Sequence, residues 1–344
     1  MIKHFASANS YNGFYSLFGD IFKSSKFDKV FVLKGGPGTG KSTLIKKVAQ
    51  FVKDAGGEYR LYHCSSDIKS LDGVTISLHG RRFAVIDGTS PHERDAIYVG
   101  VTDELINLSE GIDLDWIKSY KDDIIDLSSQ KSYAYKVAYS YLKIAGQCQN
   151  ELCQKSSERL AKNLDIRDLL DQSIFEVETK NHDAESYFIS SFNKHGYTTS
   201  NVPVDEYDKV IKIGGNETNA KVIFGFIVNH CQKFITTLFP SPLNPMLYEG
   251  VVIDNKTLLI FNNFSPDLNS NNYFSKKIID AEETKLMQNV HDEFLCEAAR
   301  WLSIASDIHF RLEDIYVKCT NFDHNQVVFD KICKKILKVC EYDD

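Results

Sequence analysis

Lys29-Val30-Phe31-Val32-Leu33-Lys34-Gly35-Gly36-Pro37-Gly38-Thr39-Gly40-Lys41-Ser42-Thr43 is the stretch that decides the fold class. Its first five residues, rich in β-branched and aromatic side chains, read as a short buried strand. The glycine-rich part fits G-x-x-x-x-G-K-[ST]. Leu44, Ile45, Val48, Phe51 and Val52 then recur at helical spacing, and Gly56-Gly57 supplies a stop. Glycines let successive backbone N–H groups converge on phosphate oxygens, and a helix N-terminus adds partial positive charge. The expected phosphate-binding residues are Gly36, Pro37, Gly38, Thr39, Gly40, Lys41, Ser42 and Thr43, with Lys41 as a point charge between the β- and γ-phosphates. The Ser42 hydroxyl is expected to ligate Mg²⁺, which makes Mg-ATP the expected ligand.

A second magnesium-side group belongs at the end of an apolar strand. Arg82-Phe83-Ala84-Val85-Ile86-Asp87 provides it, so Asp87 is the expected carboxylate. Between the two strands, Glu58–His63 reads as a third, ending in Cys64-Ser65-Ser66-Asp67. Ligands of doubly wound sheets sit at the carboxyl ends of strands, which points to Asp67 as a group that orients a water or an acceptor hydroxyl. His92, Glu93 and Arg94 are weaker choices for that task. The expected catalytic set is Lys41, Asp67 and Asp87, with Ser42 and Asp87 at the metal.

The chain also repeats itself. At a shift of 180, Asp28-Lys29-Val30 recurs as Asp208-Lys209-Val210, and Gly35, Gly40, Lys41 and Ser42 meet Gly215, Ala220, Lys221 and Val222. Ser70-Leu71-Asp72-Gly73-Val74 aligns with Leu247-Tyr248-Glu249-Gly250-Val251, and Asp67 with Asn244. Ile86-Asp87 with Ser90-Pro91 matches Phe261-Asn262 with Ser265-Pro266. Ala138–Ala145 echoes Ala298–Ala305, and Ser7–Phe14 resembles Ser190–Tyr197. The order is kept while the offset drifts from 183 to 160, as in a tandem duplication. Copy two lacks the loop glycine, the metal hydroxyl and the strand-end carboxylate, so it is expected to bind no Mg-nucleotide. Asp72 stays acidic as Glu249 and is expected to be structural.

Each copy ends in a helical stretch. Trp116, Ile117, Ile124 and Ile125 suggest a short helix before a long one marked by Tyr133, Val137, Tyr141, Ile144, Cys148 and Leu152. Phe294, Trp301, Ile304, Ile308, Leu312 and Ile315 mark its counterpart, and packing between the copies is the expected use of both stripes. A protein partner on these arms is the less favoured use. In the last helix Lys331, Lys334, Lys335 and Lys338 oppose Ile332, Ile336 and Leu337, as on a solvated face.

The 40 Lys and Arg against 47 Asp and Glu argue against a general binder of nucleic acid or anionic membranes. The richest apolar run, Val222–Val228, is seven residues, far short of the roughly 20 that span a bilayer. Residues Met1–Ala6 carry no signal-peptide core, and eight dispersed cysteines predict free thiols, so the expected location is the cytoplasm.

The run Phe5–Asn9 with Gly13-Phe14-Tyr15, the loop Leu33–Thr43, His63–Asp67 with Ser70–Val74, and Ala84–His92 together resemble a family of duplicated bacterial P-loop proteins regarded as ATPases. The resemblance spans nearly the whole chain and implies ATP binding with hydrolysis. Family members carry a second well-formed loop; here Gly215-Asn216-Glu217-Thr218-Asn219-Ala220-Lys221-Val222 departs from it. The expected fold is α/β: tandem P-loop NTPase domains of three α/β/α layers, with largely parallel sheets and helical arms. Residues 1–184 form the working copy and residues 185–344 the degenerate one. An ATPase switch leads a small-molecule phosphotransferase and a scaffold without turnover. GTP is disfavoured because Thr179-Lys180-Asn181-His182-Asp183 misses the guanine-reading pattern by one residue, and Gly88 after Asp87 departs from the Asp-Glu of ring-forming motors.

Overall fold

The computed structural model describes residues 3–160, 184–200, 202, 204–261, 273–274 and 282–341. The chain begins with β1 (His4–Phe5), the hairpin β2 (Ser7–Ser10) and β3 (Gly13–Ser16), and the short helix α1 (Phe18–Ile21). It continues through β4 (Lys29–Lys34), α2 (Lys41–Asp54), β5 (Glu58–His63), β6 (Leu71–Leu78), β7 (Arg81–Asp87) and β8 (Asp103–Asn107). Helices α3 (Leu114–Lys118) and α4 (Lys121–Leu160) follow. The later elements are β9 (Glu185–Ser186), β10 (Ser190–Asn193), β11 (Gly196–Thr199), β12 (Lys209–Ile213) and α5 (Glu217–Cys231). After them come β13 (Ile235–Pro240), β14 (Tyr248–Ile253), β15 (Thr257–Phe261), β16 (Tyr273–Phe274), α6 (Glu282–Cys319) and α7 (Phe322–Cys340). No helix among the described residues is long and apolar enough to cross a membrane.

Two compact units result. The loop unit comprises His4–Ser7, Ser16–Val137 and Arg300–Asp344; the second unit comprises Met1–Lys3, Ala8–Tyr15 and Ala138–Ala299. The sequence boundary at 184/185 follows directly on residues 161–183, which lie outside the described ones. Each unit therefore draws on both sequence copies, and the long helices α4 and α6 are divided between units in mid-helix.

The loop unit holds a sheet of order β1-β5-β6-β7-β4-β8. Pairings β1–β5, β4–β7 and β4–β8 are parallel, and only β6 runs against its neighbours. The second unit's sheet, β9-β13-β14-β15-β12-β16, repeats that order strand for strand, with β14 reversed in place of β6. The chain is thus α/β with largely parallel sheets.

In the loop unit, alternate strand residues Phe31, Leu33, Val74, Ile76, Phe83 and Val85 face one buried cluster with Leu44, Ile45 and Val48 of α2. Val328, Ile332 and Ile336 of α7 complete it, so the C-terminal end of the chain packs on the sheet of the N-terminal half. Burial of such side chains contributes about 1.5–3 kcal/mol each. The alternate strand residues Val30, Val32, Ala84 and Ile86 are fully buried as well. Phe22 lies over Gly73, where a Cβ would come 2.6 Å from its ring, and packs edge-on to Tyr62.

The helical stripes match the expected ones in part: Leu152, Ile308 and Leu312 are buried, and the rings of Tyr133 and Trp301, and of Tyr141 and Phe294, lie 6.0 and 5.9 Å apart. Tyr133, Ile144 and Ile304 are exposed, while Ala138, Leu142 and Ala145 on α4 and Ala298, Leu302 and Ala305 on α6 are buried. The two buried sets match at a shift of 160. Ile124 belongs to α4 and packs, with Leu127, against Ile308, Leu312 and Ile315. The basic face of α7 is not simply solvated, because Lys331 and Lys335 both pair with Glu104 of β8.

Candidate functional site

Register sets the site. Leu33 at the end of β4 lies opposite Asp87 at the end of β7, so the carboxylate emerges beside the glycine loop. Gly38 and Gly40 take φ of +73° and +86°, left-handed values that glycine tolerates and other residues resist. Gly40 then caps α2, whose first residues are Lys41 and Ser42. Lys41 is buried; its Nζ donates to the Gly35 and Gly36 carbonyls at 2.8 Å and lies 3.8 Å from Asp87 Oδ2. Burial lowers the Lys41 pKa, while Asp87 and then Asp72 oppose that shift. Ser42 Oγ accepts from the Leu71 backbone N–H at 2.9 Å, which ties α2 to the start of β6. Asp87 Oδ1 accepts from the Thr89 N–H and hydroxyl, at 2.8 and 2.6 Å. Thr39 Oγ1 donates to the Gly36 carbonyl and braces the loop from within.

The two remaining aspartates lie in different settings. Asp67 Oδ1 accepts from the Lys69 N–H at 3.0 Å, and its charge is felt by His309 and Glu313 of α6. Asn244 makes the same turn with Met246, so this role survives loss of the charge. Asp72, by contrast, is buried within electrostatic reach of Lys41 and Asp87, and burial lifts its carboxyl to about 6. His92 Nε2 lies 3.1 Å from Asp72 Oδ2 and its ring stacks on Phe18, so it braces Asp72. Glu93 is exposed, and Arg94 bonds the Phe22 carbonyl and Ser24 Oγ beside Asp103.

Cys64, Asp72 and His92, scattered in sequence, bring their donor atoms within 4.8 Å of one another. Thiol, carboxylate and imidazole could hold a soft divalent cation. The contact of His92 with Asp72 accounts for two of the three groups without a metal.

The loop has a cover that its own sequence does not announce. A Cβ on Gly36 would lie 2.5 Å from the Tyr316 ring, and one on Gly38 would lie 2.8 Å from the Glu313 carbonyl. Asn325 of α7 donates to the Thr39 carbonyl at 2.9 Å. Residues about 280 positions away therefore sit against the glycines.

In the second unit the corresponding segment is not a loop. Asn216 caps α5 through the Asn219 N–H, and the helix starts at Glu217, four residues before Lys221. Ala220 stands where Gly40 turns left-handed, so the helix runs on. Lys221 is paired within the helix to Glu217, whose carboxyl Lys221 holds below the usual range. The Asn216 cap and the Glu217/Lys221 spacing of four were the signals that could have revealed this. Asn262, Ser265 and Pro266 lie outside the described residues, as does Thr179–Asp183.

Glu249 allows a stability test. It is buried, accepts from Ser190 Oγ at 2.7 Å, and is lifted by burial to about 8. A raised acid is stabilising while protonated; the contribution is complete below the unfolded value of 4.5 and lost as pH rises through about 8. Unfolding free energy is expected to fall by on the order of a few kcal/mol across that window. Glu249→Gln should flatten the slope in denaturant titrations; an unchanged slope would assign the dependence elsewhere.

Comparison with protein-family models, with curated proteins and with solved structures finds no match to this chain.

Proposed function

We propose that the chain binds Mg-ATP at the loop Gly35–Ser42 and hydrolyses it, with the helices that cover the loop responding to the state of the nucleotide. The observation that carries this reading is the convergence of Lys41, Ser42 and Asp87 at one end of the sheet, with Lys41 Nζ 3.8 Å from Asp87 Oδ2. Backbone N–H groups of the loop would hold phosphate, Ser42 and Asp87 would hold the metal, and Lys41 would neutralise charge that builds on the γ-phosphoryl oxygens. Bound magnesium supplies Lewis-acid polarisation of those oxygens. The repeated strand order supports descent from a tandem duplication, and the continuous helix at Glu217–Lys221 supports a second copy without nucleotide. Because α6 runs from the loop unit into the second unit as one helix, displacement at Glu313–Val317 can be transmitted along it.

Initial rates of phosphate release across the four nucleoside triphosphates, with and without a metabolite extract, test the reading. Release without an acceptor supports hydrolysis; radiolabel moving to a metabolite would make the chain a phosphotransferase; no turnover would leave a binding scaffold. Asp87→Asn should lower magnesium-dependent turnover about a hundredfold while nucleotide binding persists through loop contacts. Undiminished turnover in that variant would remove Asp87 from the metal site.

A further inference from the structure

Each helical arm carries a basic group within electrostatic reach of Lys41, Lys131 on α4 and His309 on α6. On α6, Glu313 and Tyr316 lie against Gly38 and Gly36, and His309 sits one turn before Glu313 on the same side. On α4, Leu127 packs with Ile308 and Leu312, while Tyr135 Oη lies 3.3 Å from Ser66 Oγ in the β5–β6 loop. Lys131 falls one turn from each of these anchors, which aims it between α6 and that loop. The charges respond to one another. Burial and then Lys41 lower the Lys131 pKa, and burial, Lys131 and Lys41 hold His309 at about 4. Acids also face the group: Asp87 lies by Lys41, and Asp67 and Glu313 lie by His309 and the loop.

The second unit shows what such a gathering is for. His291 corresponds to Lys131 at the shift of 160 that relates Ala138 to Ala298. There Glu217 lies under the influence of both Lys221 and His291, so a carboxylate of the chain itself supplies the anion. The residue matching Glu217 in the first copy is Pro37, which brings no charge. The basic residues are kept, while the carboxylate at this position of the loop is not.

We propose that Lys131, assisted by His309, receives the terminal phosphate of the nucleotide held by the glycine loop, so that the helical arms distinguish a triphosphate from a diphosphate. This deepens the function proposed above and rests on it. The Lys131 ammonium contributes a charge-assisted hydrogen bond that only a γ-phosphate can accept, and His309 is positioned to donate a second.

Calorimetric titration with Mg²⁺ and either ADP or the non-hydrolysable β,γ-imido analogue of ATP tests this on the full chain. Wild-type protein should bind the triphosphate analogue at least about tenfold more tightly than ADP. Lys131→Ala should lose most of that ratio with ADP affinity unchanged, Lys131→Arg should restore it, and His309→Ala should reduce it in part. A wild-type ratio in Lys131→Ala, with both ligands bound, would overturn this inference and leave the reading of the loop standing. Wild-type protein that binds neither ligand would overturn both.

Discussion

Replacing Lys41 with alanine is expected to reduce ATP turnover by about 10²–10³-fold or more while the chain stays folded. The first effect follows from position, since Lys41 is the cation set at the glycine loop, with Gly35 and Gly36 carbonyls as its partners and Asp87 beside it. The second follows from the cost of burying an ammonium. Burial depresses the Lys41 pKa, so the charged form is less favoured in the fold than in the unfolded chain. Removing it relieves that strain, and the melting temperature should hold or rise slightly. Phosphate release and thermal melting of the same preparation separate the two effects. Wild-type turnover in Lys41→Ala would end the assignment of this loop as the reacting site.

Titration with Mg-ATP should saturate at one nucleotide per chain, the second large expectation. The second copy has Ala220 inside a helix at the place of Gly40: α5 starts at Glu217, and Lys221 is already paired to that residue. Val222 offers no oxygen to a metal ion. Loss of even two charge-assisted contacts, at roughly 1.5–3 kcal/mol each, weakens binding about a hundredfold or more. Lys221→Ala should therefore leave the stoichiometry unchanged. A second equivalent of comparable affinity that disappears in Lys221→Ala would show that the Glu217–Lys221 pair opens to admit nucleotide.

Much of this was legible in the order of residues, because it depends on short range. Strand β4, the loop and α2 are set by a run of apolar residues, glycines at Gly38 and Gly40, and an amphipathic helix, each a local property. The repeat was legible too. Cys64 and Asp67 bond through Ser70 as Ser241 and Asn244 bond through Leu247: Cys64 N donates to Ser70 O and Ser241 N to Leu247 O, with Ser70 N and Leu247 N returning to Asp67 O and Asn244 O. What the alignment could not weigh was the part each acid plays. Asp67 stood out because its charge is lost in copy two, yet the turn it makes needs only a side-chain oxygen. Asp72 looked structural because acidity is kept there, and it is buried against His92 with its carboxyl lifted by that burial.

The sequence by itself determined the glycine-rich turn between β4 and α2, the α/β class and the lack of a matching glycine at Ala220, since backbone dihedrals and helix starts answer to neighbouring residues. Tertiary structure alone decided which groups surround the loop. Tyr316, Glu313 and Asn325 come from the far end of the chain, and no periodicity links them to Gly36 or Gly38. The buried stripes were decided the same way. The large residues at Tyr133 and Ile304 suggested the packed face; Tyr133 does meet Trp301, but the most deeply buried positions nearby are the alanines Ala138, Ala145, Ala298 and Ala305.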